Sequence, residues 1–314
     1  MARRRYNRVF RAATSLLGAT VLTGAAVAST LTPVAPVRAA APALSPVAAH
    51  TPMTAESLPC ARTLNVVAHE DDDLLFINPS VSDDIAAGRC VVTLFVTAGD
   101  AGRPSSYWLR REQGSMAAYA AMSGTSQTWQ QDTITLAGHP IVRQHLTGTR
   151  ITLLFMRLPD AHGNPARPAA TLQQLWRGSV RSMRPLGSGG AYTKQSLIKT
   201  LTATMAQYQP DRIRTLDYAG HYGDGDHVDH HTVGYLTLAA QGGYHAHHTI
   251  SGYRGYTVAA YPDNLDETAA GLKLDYFLAY APYDSKVCQS ADVCTTNFYG
   301  PRFTHSLTTA SLTR

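Results

Sequence analysis

This sequence of 314 residues has few charged residues. They make up 16% of the chain, and the formal net charge of +5 comes from one end. The first 39 residues hold six of the 27 basic residues and no acidic one, which leaves 21 basic against 22 acidic residues. A body with a net charge near zero lacks the basic surface that nucleic-acid binding requires. We therefore expect no nucleic-acid partner.

The N-terminal residues 1–39 have the organisation of a secretory signal peptide. A basic start, "MARRRYNRVFR", is followed by the uncharged segment 12–30 and by small residues before a cleavage position near Ala39. An uncleaved membrane anchor is the alternative, but the segment is rich in Gly, Ala and Thr and weakly hydrophobic. We expect a secreted protein without stable membrane insertion, with a disordered spacer over 40–59 and one domain over 60–314.

Cysteine is scarce as well, with four residues and no C-x-x-C pair, which argues against a cysteine-ligated zinc site. An even number of cysteines in an exported chain favours two disulfides, for which three pairings exist. We predict Cys60–Cys90 and Cys288–Cys294. Cys60 precedes one predicted strand and Cys90 opens the next, whereas "CQSADVC" closes a short loop.

The domain alternates short apolar runs with helix-like segments. Runs rich in β-branched residues predict strands buried on both faces of a parallel sheet, and they cover 64–68, 90–97, 151–158, 212–217 and 255–261. Amphipathic segments with Gly or Pro stops predict helices over 105–124, 193–209 and 231–243. This alternation predicts a single Rossmann-like α/β domain, with a mostly parallel sheet flanked by helices. The tail from about residue 285 is expected to be irregular and held by its disulfide.

Polar segments follow four of the predicted strands. They are "AHEDDD" (68–73), "TAGDAG" (97–102), "LPDAHG" (158–163) and "DYAGHYGDGDHVDHH" (217–231). In open α/β sheets, ligands bind beyond the carboxyl ends of the strands. We therefore expect these four segments to converge on one site.

Histidines and aspartates in the first and last of these segments suit a catalytic metal site. Zinc in such sites takes three protein ligands and keeps one position open. His69 and Asp72 can supply two ligands from one turn, and a histidine of "HVDH" (227–230) can supply the third. Each motif alone has a plain structural explanation, because acids suit the first turn of a helix and histidines occur in solvated loops. Together, at two strand ends of one sheet, they favour a metal centre.

The motifs resemble those of the PIG-L (LmbE-like) family of zinc-dependent N-acetylglucosaminyl deacetylases. The resemblance rests on "VVAHEDDDLL", "LFVTAGDAG", "LRRE", "LPD" and "HVDHHTVG" in this order. It extends from about residue 63 to 284, where "GLKLDYFLAYAPYD" is similar to the closing helix of the family. It implies a hydrolase with an α/β fold that uses one zinc ion to remove an acetyl or acyl group from an amino sugar.

The resemblance implies a role for each reactive residue of the two motifs. His69, Asp72 and His230 correspond to the zinc ligands, although iron or cobalt would also accept this set. Asp71 corresponds to the general base that activates the attacking water. His227 corresponds to the histidine that stabilises the oxyanion or protonates the leaving amine.

Three further residues take supporting roles by the same resemblance. Asp229 corresponds to the residue that orients and tunes a neighbouring histidine. Arg111 in "LRRE" and Asp160 in "LPD" correspond to residues that hold sugar hydroxyls. The sequence departs from the family where Glu70 and Val228 replace prolines of the two motifs. Neither proline is a ligand, so metal binding is expected to survive, with a less rigid loop.

We predict a secreted, zinc-dependent hydrolase that acts on an N-acetyl or N-acyl group of an amino-sugar-containing substrate or glycan. Two alternatives stay open. One is the same metal centre acting on a non-sugar amide or a glycopeptide-type natural product, and the other is a non-catalytic exported protein that binds carbohydrate or metal. Asp71 counts against the second, because a metal-binding protein needs no general base. The segment "HAHH" (245–248) is expected to be a solvated loop and not a second metal site.

Overall fold

The computed structural model of the chain describes residues 60–126, 128–161 and 170–314. The predicted signal peptide and spacer lie outside these residues. An eight-stranded sheet has the order β3-β4-β5-β2-β1-β6-β7-β8. Its strands are β1 (Arg62–Val67), β2 (Cys90–Thr97), β3 (Trp129–Leu136), β4 (His139–Leu146), β5 (Ile151–Leu158), β6 (Arg212–Leu216), β7 (Thr249–Tyr253) and β8 (Thr308–Thr313).

The five inner strands β5-β2-β1-β6-β7 are parallel neighbours. From β1 the chain builds outward to β2 and β5 on one side, and it later adds β6 and β7 on the other side. The strand order therefore reverses between β1 and β6, where open α/β sheets bind their ligands. The antiparallel hairpin β3–β4 extends the sheet beyond β5, and β8 pairs antiparallel with β7 at the opposite edge.

The helices form two groups. α1, α2 and α6 pack with one another, and α5 packs with α3 and α4. The helices are α1 (Ser80–Ala86), α2 (Ser105–Ser123), α3 (Leu172–Arg177), α4 (Lys194–Tyr208), α5 (Val228–Gln241), α6 (Glu267–Tyr280), α7 (Ala291–Thr296) and α8 (Gly300–Phe303), with a π-helical turn at Asp73–Ile77 and 3₁₀ turns at Tyr256–Ala260 and Ala281–Tyr283. In the part of the chain that the structure describes, no helix combines the length and the apolar character needed to cross a membrane.

The central strands form the core because apolar side chains cover both of their faces. Val66 and Val67 of β1 and Leu94 and Phe95 of β2 are fully buried. Burial of each such side chain contributes about 1.5–3 kcal/mol. Strands covered by helices on both faces need continuous apolar runs, which is what the sequence shows. The predicted fold class, a single α/β domain with a mostly parallel sheet flanked by helices, is confirmed.

One predicted strand is wrong. The segment 255–261 contains the 3₁₀ turn Tyr256–Ala260, and the fifth parallel strand, β7, precedes it. Gly255 lies directly before this turn, and a side chain there would collide with Asp226 and His230. β7 carries Thr, Ser and Gly, so no apolar run indicates it. The sequence also does not predict strands β3, β4 and β8, which lie beyond the parallel strands. β3 and β8 carry many exposed polar residues, and β4 mixes apolar residues with polar ones that are partly or fully buried. The tail from residue 285 contains α7, α8 and β8 and is therefore more regular than expected.

Both predicted disulfides are present. Cys60–Cys90 joins the amino ends of β1 and β2, with the two Cα atoms 5.8 Å apart. Cys288–Cys294 ties the chain before α7 to that helix, with a Cα separation of 5.2 Å. The second disulfide therefore fixes part of the C-terminal segment.

A cluster of charged residues around the buried Asp84 connects α1 to the amino ends of strands β1 and β6. The carboxylate of Asp84 accepts hydrogen bonds from Thr63 (2.6 Å), Arg212 (2.6 Å) and Arg214 (2.7 Å). Burial alone would raise the pKa of Asp84, but the hydrogen bonds from Arg214 and Thr63 and the arginine charges lower it. The charged form of Asp84 therefore stabilises the folded chain.

We expect the Asp84→Asn substitution to lower the free energy of unfolding by about 3 kcal/mol, because it leaves buried arginine charge without its partner. The measurement is urea denaturation at neutral pH. Because the folded pKa is lowered, the contribution of Asp84 is present above its unfolded pKa of about 4 and disappears as the pH falls through the folded value. The difference in the free energy of unfolding between Asp84→Asn and the wild type should therefore become smaller at acidic pH. Asp83→Asn, at the exposed neighbouring position, is the control, and an equal loss in both variants would contradict the assignment.

Candidate metal centre and active site

The site lies where the strand order reverses. The turn after β1 carries His69, Asp71 and Asp72, and the segment after β6 ends in the first turn of α5, which carries His227 and His230. Their side chains are buried or nearly so. The expected convergence of the first and last polar segments is therefore present in the structure.

Asp72 connects the two segments. Its Oδ2 accepts the backbone N–H groups of Ala68 (3.0 Å) and His69 (2.7 Å). Its Oδ1 lies 3.0 Å from Nε2 of His230 and 3.4 Å from Nδ1 of His69. Burial alone would raise the pKa of Asp72, but the two histidines outweigh it and lower the pKa well below its usual range. Asp72 is therefore an ionised carboxylate aimed at two imidazoles.

These distances suit a divalent ion. Ligands at 2.0–2.1 Å from a tetrahedral zinc ion lie roughly 3.3 Å from one another. The separation between Asp72 and each of the two histidines is close to this value. Nε2 of His230 is buried and has no hydrogen-bond partner among the described residues, although the Asp72 carboxylate is near. The two atoms, 3.0 Å apart, are close enough to pair with each other when the histidine is protonated, or to hold a shared divalent ion when it is neutral.

His227 provides a second possible ligand set. One ring nitrogen each of His69, His227 and His230 lies within 4.8 Å of the others. A metal could therefore be held by three histidines, or by His69, Asp72 and His230 as the sequence predicts. The anionic Asp72, which faces both His69 and His230, favours the predicted set.

Asp226 orients His230 and was not predicted from the sequence. Its Oδ1 lies 2.8 Å from Nδ1 of His230, and the carboxylate also accepts backbone N–H groups of His227 (2.8 Å) and Tyr256 (3.0 Å). Burial opposes the charge of Asp226, but His230 and these hydrogen bonds lower its pKa to about 2. A proton held on Nδ1 leaves Nε2 free as a ligand. The available signal was the acid four residues before the histidine in "DHVDH".

Arg111 lies against Asp71 and not at the protein surface. Its Nη2 donates to Oδ1 of Asp71 (2.6 Å), its Nε donates to the Tyr280 hydroxyl (2.7 Å) and lies 2.9 Å from Asp284, and its Nη1 donates to the Gly99 carbonyl (2.7 Å). Burial raises the pKa of Asp71, and Arg111 opposes this shift. Arg111 therefore fixes the orientation of Asp71 while it contacts the same cavity.

Gly99 makes room for this arginine. Its φ is +50°, a left-handed conformation that favours glycine, and a Cβ there would collide with the Arg111 guanidinium and with Glu70. Glu70 is fully buried, and neither of its carboxylate oxygens has a hydrogen-bond partner within the described chain. Its nearest charge is Arg111 Nη1 at 3.5 Å. Burial raises the pKa of Glu70 to about 8, so the residue in the position of the family proline is neutral at pH 7.

The remaining predicted residues surround the His69 ring. Asp229 Oδ2 lies 3.6 Å from Nε2 of His69 and accepts the Ala161 N–H (2.9 Å). Asp160 Oδ1 lies 3.9 Å from Nε2 of both His69 and His227. His227 caps α5, and its Nδ1 accepts the Asp229 N–H (3.1 Å). The third polar segment, 158–163, therefore reaches the same site through its first residues.

A cavity of about 370 Å³ opens over these residues. Its inner lining includes His69, Asp71 and His227, and its outer lining comes from the C-terminal segment and includes Phe298 and Tyr299. His69, Asp71 and His227 therefore face a space that a small substrate group can enter, whereas Asp72 and His230 are buried and are not part of its lining.

Other histidines are occupied elsewhere. His231 is hydrogen-bonded to the Asp217 carbonyl (2.9 Å) and to Oδ1 of Asp224 (2.9 Å). These three residues form a cluster separate from the site. In "HAHH", His245 and His247 are exposed as expected. His248 is instead buried, with Nε2 2.8 Å from the side-chain oxygen of Gln241.

Sequence comparison identifies a family. Residues 64–241, more than half of the chain, match the model of the PIG-L family, described as GlcNAc-PI de-N-acetylase. Among curated protein sequences, none matches the chain significantly. The matched range includes every residue discussed above for the metal and the base.

Solved structures resemble the chain at low identity. A deacetylase of an antimicrobial pseudoaglycone has 17% identity and a TM-score of 0.44, over 70% of this chain and 81% of its own. The N,N'-diacetylchitobiose deacetylase from Pyrococcus horikoshii has 13% identity and a TM-score of 0.46, over 82% and 84%. A 4-carboxy-2-hydroxymuconate hydratase from Pseudomonas putida has 13% identity and a TM-score of 0.40, over 72% and 79%. At these identities the likeness concerns the fold and assigns no activity.

Two substitutions distinguish the possible ligand sets. We expect Asp72→Asn to lose bound zinc, because the anionic ligand that faces His69 and His230 is removed. His227→Ala is expected to retain zinc. The measurement is zinc per chain by mass spectrometry after equilibration with zinc and dialysis. Circular dichroism of both variants checks that they fold. The reverse result, with zinc lost in His227→Ala and kept in Asp72→Asn, would assign the three-histidine set.

Proposed function

The chain belongs to the PIG-L family of de-N-acetylases, and from this we propose that it is a secreted, zinc-dependent enzyme that removes the N-acetyl group from an amino sugar of an extracellular glycan. The observation that carries the proposal is the meeting of two acidic and histidine-rich segments in one cavity. His69, one of the predicted ligands, lines this cavity together with an additional carboxylate, Asp71, and one ring nitrogen each of His69, His227 and His230 lies within 4.8 Å of the others.

His69, Asp72 and His230 would hold the zinc ion. When bound, zinc polarises a carbonyl oxygen and lowers the pKa of water toward about 7. The chain contributes the anionic charge of Asp72 and the fixed orientation of His230, which Asp226 provides. The carboxylate of Asp229, next to His69, orients that ring from the other side.

Asp71 acts as the general base and takes a proton from the attacking water. It borders the cavity without being part of the predicted ligand set, and Arg111 holds it at 2.6 Å. A base fixed in this way needs no reorientation when the substrate arrives. All three nitrogens of Arg111 already contact protein groups, which supports a positioning role for this residue over the predicted contact with sugar hydroxyls.

His227 serves the other end of the reaction. It lies on the side of the His69 ring that faces Asp160, with the two imidazole centres 4.6 Å apart. From there it stabilises the oxyanion of the tetrahedral intermediate or donates a proton to the leaving nitrogen. Asp160, 3.9 Å from His227, is assigned to sugar hydroxyls at the same rim.

An extracellular substrate follows from the proposed export. Two disulfides suit an oxidising compartment. A protein exported by a signal peptide meets cell-wall glycan, extracellular polysaccharide or secreted natural products. Among these, amino-sugar polymers present the N-acetyl group that the family acts on.

The test is acetate release by the zinc-loaded mature protein from N-acetylglucosamine and its β-linked oligomers, with and without a chelator. We expect Asp71→Asn to bind zinc like the wild type but to lose about 100-fold or more of the activity, because general base catalysis is removed. Asp292→Asn, at an exposed position of α7, is the control. Full activity of Asp71→Asn would exclude Asp71 as the base.

A panel of acetylated amides without sugar accompanies these substrates. Faster cleavage of such amides, or of an acylated glycopeptide, would indicate that the substrate is a non-sugar amide or a natural product and not a glycan. Zinc binding without release of any acid would indicate a binding protein.

A further inference from the structure

The outer wall of the cavity comes from a part of the chain outside the matched family region. Val287, Phe298 and Tyr299 line the cavity, and all three lie beyond residue 241, where the family match ends. The disulfide Cys288–Cys294 fixes the chain between them. A part of the cavity lining that is covalently fixed and separate from the metal-binding residues is suited to select the substrate.

Phe298 has an unusual environment for a large apolar side chain. It is 58% exposed although it lines the cavity. The guanidinium carbon of Arg302 lies 3.8 Å from its ring centroid. Arg302 is itself only 5% exposed, and it donates hydrogen bonds to the carbonyls of Tyr256 (2.9 Å) and Phe298. One face of the ring is therefore supported by a fixed cation, and much of the rest is open.

The ring is also positioned by its aromatic neighbours. The Tyr256 ring lies 5.4 Å away and the Tyr299 ring 5.7 Å away. Tyr256 in turn contacts His230, with ring centroids 5.2 Å apart. A continuous series of rings therefore leads from the metal-binding histidine to Phe298 at the outer wall.

We propose that Phe298 is a specificity-determining residue whose exposed ring stacks on the second sugar ring of an oligosaccharide, while the N-acetylated residue occupies the metal site. This inference rests on the proposed function. A pyranose presents an apolar C–H face and a polar rim, and the cavity that Phe298 lines also contains the polar side chains of Tyr299 and Lys286, which suit such a rim. An acyl chain would instead need an enclosed apolar wall.

The experiment measures binding without turnover. In a zinc-loaded Asp71→Asn background, calorimetry gives the dissociation constants of N-acetylglucosamine and of triacetylchitotriose. We expect Phe298→Ala to weaken trisaccharide binding about tenfold, since one stacking contact is lost, and to reduce the preference for trisaccharide over monosaccharide by the same factor. Phe298→Trp should retain the preference. Val293→Ala, at an exposed position within the same disulfide loop, is the matched control.

The outcomes separate the two proposals. An unchanged preference in Phe298→Ala, or an equal loss in Val293→Ala, overturns the stacking role. Absence of trisaccharide binding overturns it as well. Failure of the proposed function appears separately, as a wild type that binds the trisaccharide but releases no acetate from it.

Discussion

The site depends on one carboxylate that belongs to two parts of the fold at once. Asp72 accepts backbone N–H groups at the end of β1, and its other oxygen faces His230 at the start of α5. This contact is possible because β1 and β6 are neighbours at the point where the strand order reverses. A fully buried anion needs compensating positive charge. The two histidines lie where they can provide it, either protonated or as ligands of a divalent ion.

The same requirement explains the buried charges around Arg111. Its guanidinium is surrounded by Asp71, Asp284 and Glu70, which are more acids than one cation can balance. Burial makes Glu70 neutral at pH 7, so the excess is smaller than a count of carboxylates suggests. Arg111 then carries out a structural task inside the site. A sequence motif alone does not distinguish this task from contact with a substrate, because both need an arginine near the cavity.

The parallel core and the meeting of the two motifs could be predicted because their signals are local. β1, β2 and β5 contain apolar runs, β6 combines two arginines with Ile, Thr and Leu, and the residues between 69 and 72 and between 227 and 230 form compact motifs. The strands β3 and β8 were not identified because they carry many exposed polar residues, and β4 and β7 were not identified because polar residues interrupt their apolar positions. Asp284 was missed because its contact with Arg111 joins segments distant in sequence, whereas Asp226 was missed although its contact with His230 is local. Gly255 is a further example of a contact between distant segments, since a side chain there would collide with Asp226 and His230.

The location of the cavity wall has an evolutionary consequence. The reacting groups come from residues before 241, whereas Phe298 and its support come from the segment tied by Cys288–Cys294. Substitution of Phe298 can therefore reshape the wall without replacing a predicted metal ligand or the predicted base. A protein divided in this way can acquire new substrates by changes at a few positions of this segment, while its reacting groups are retained.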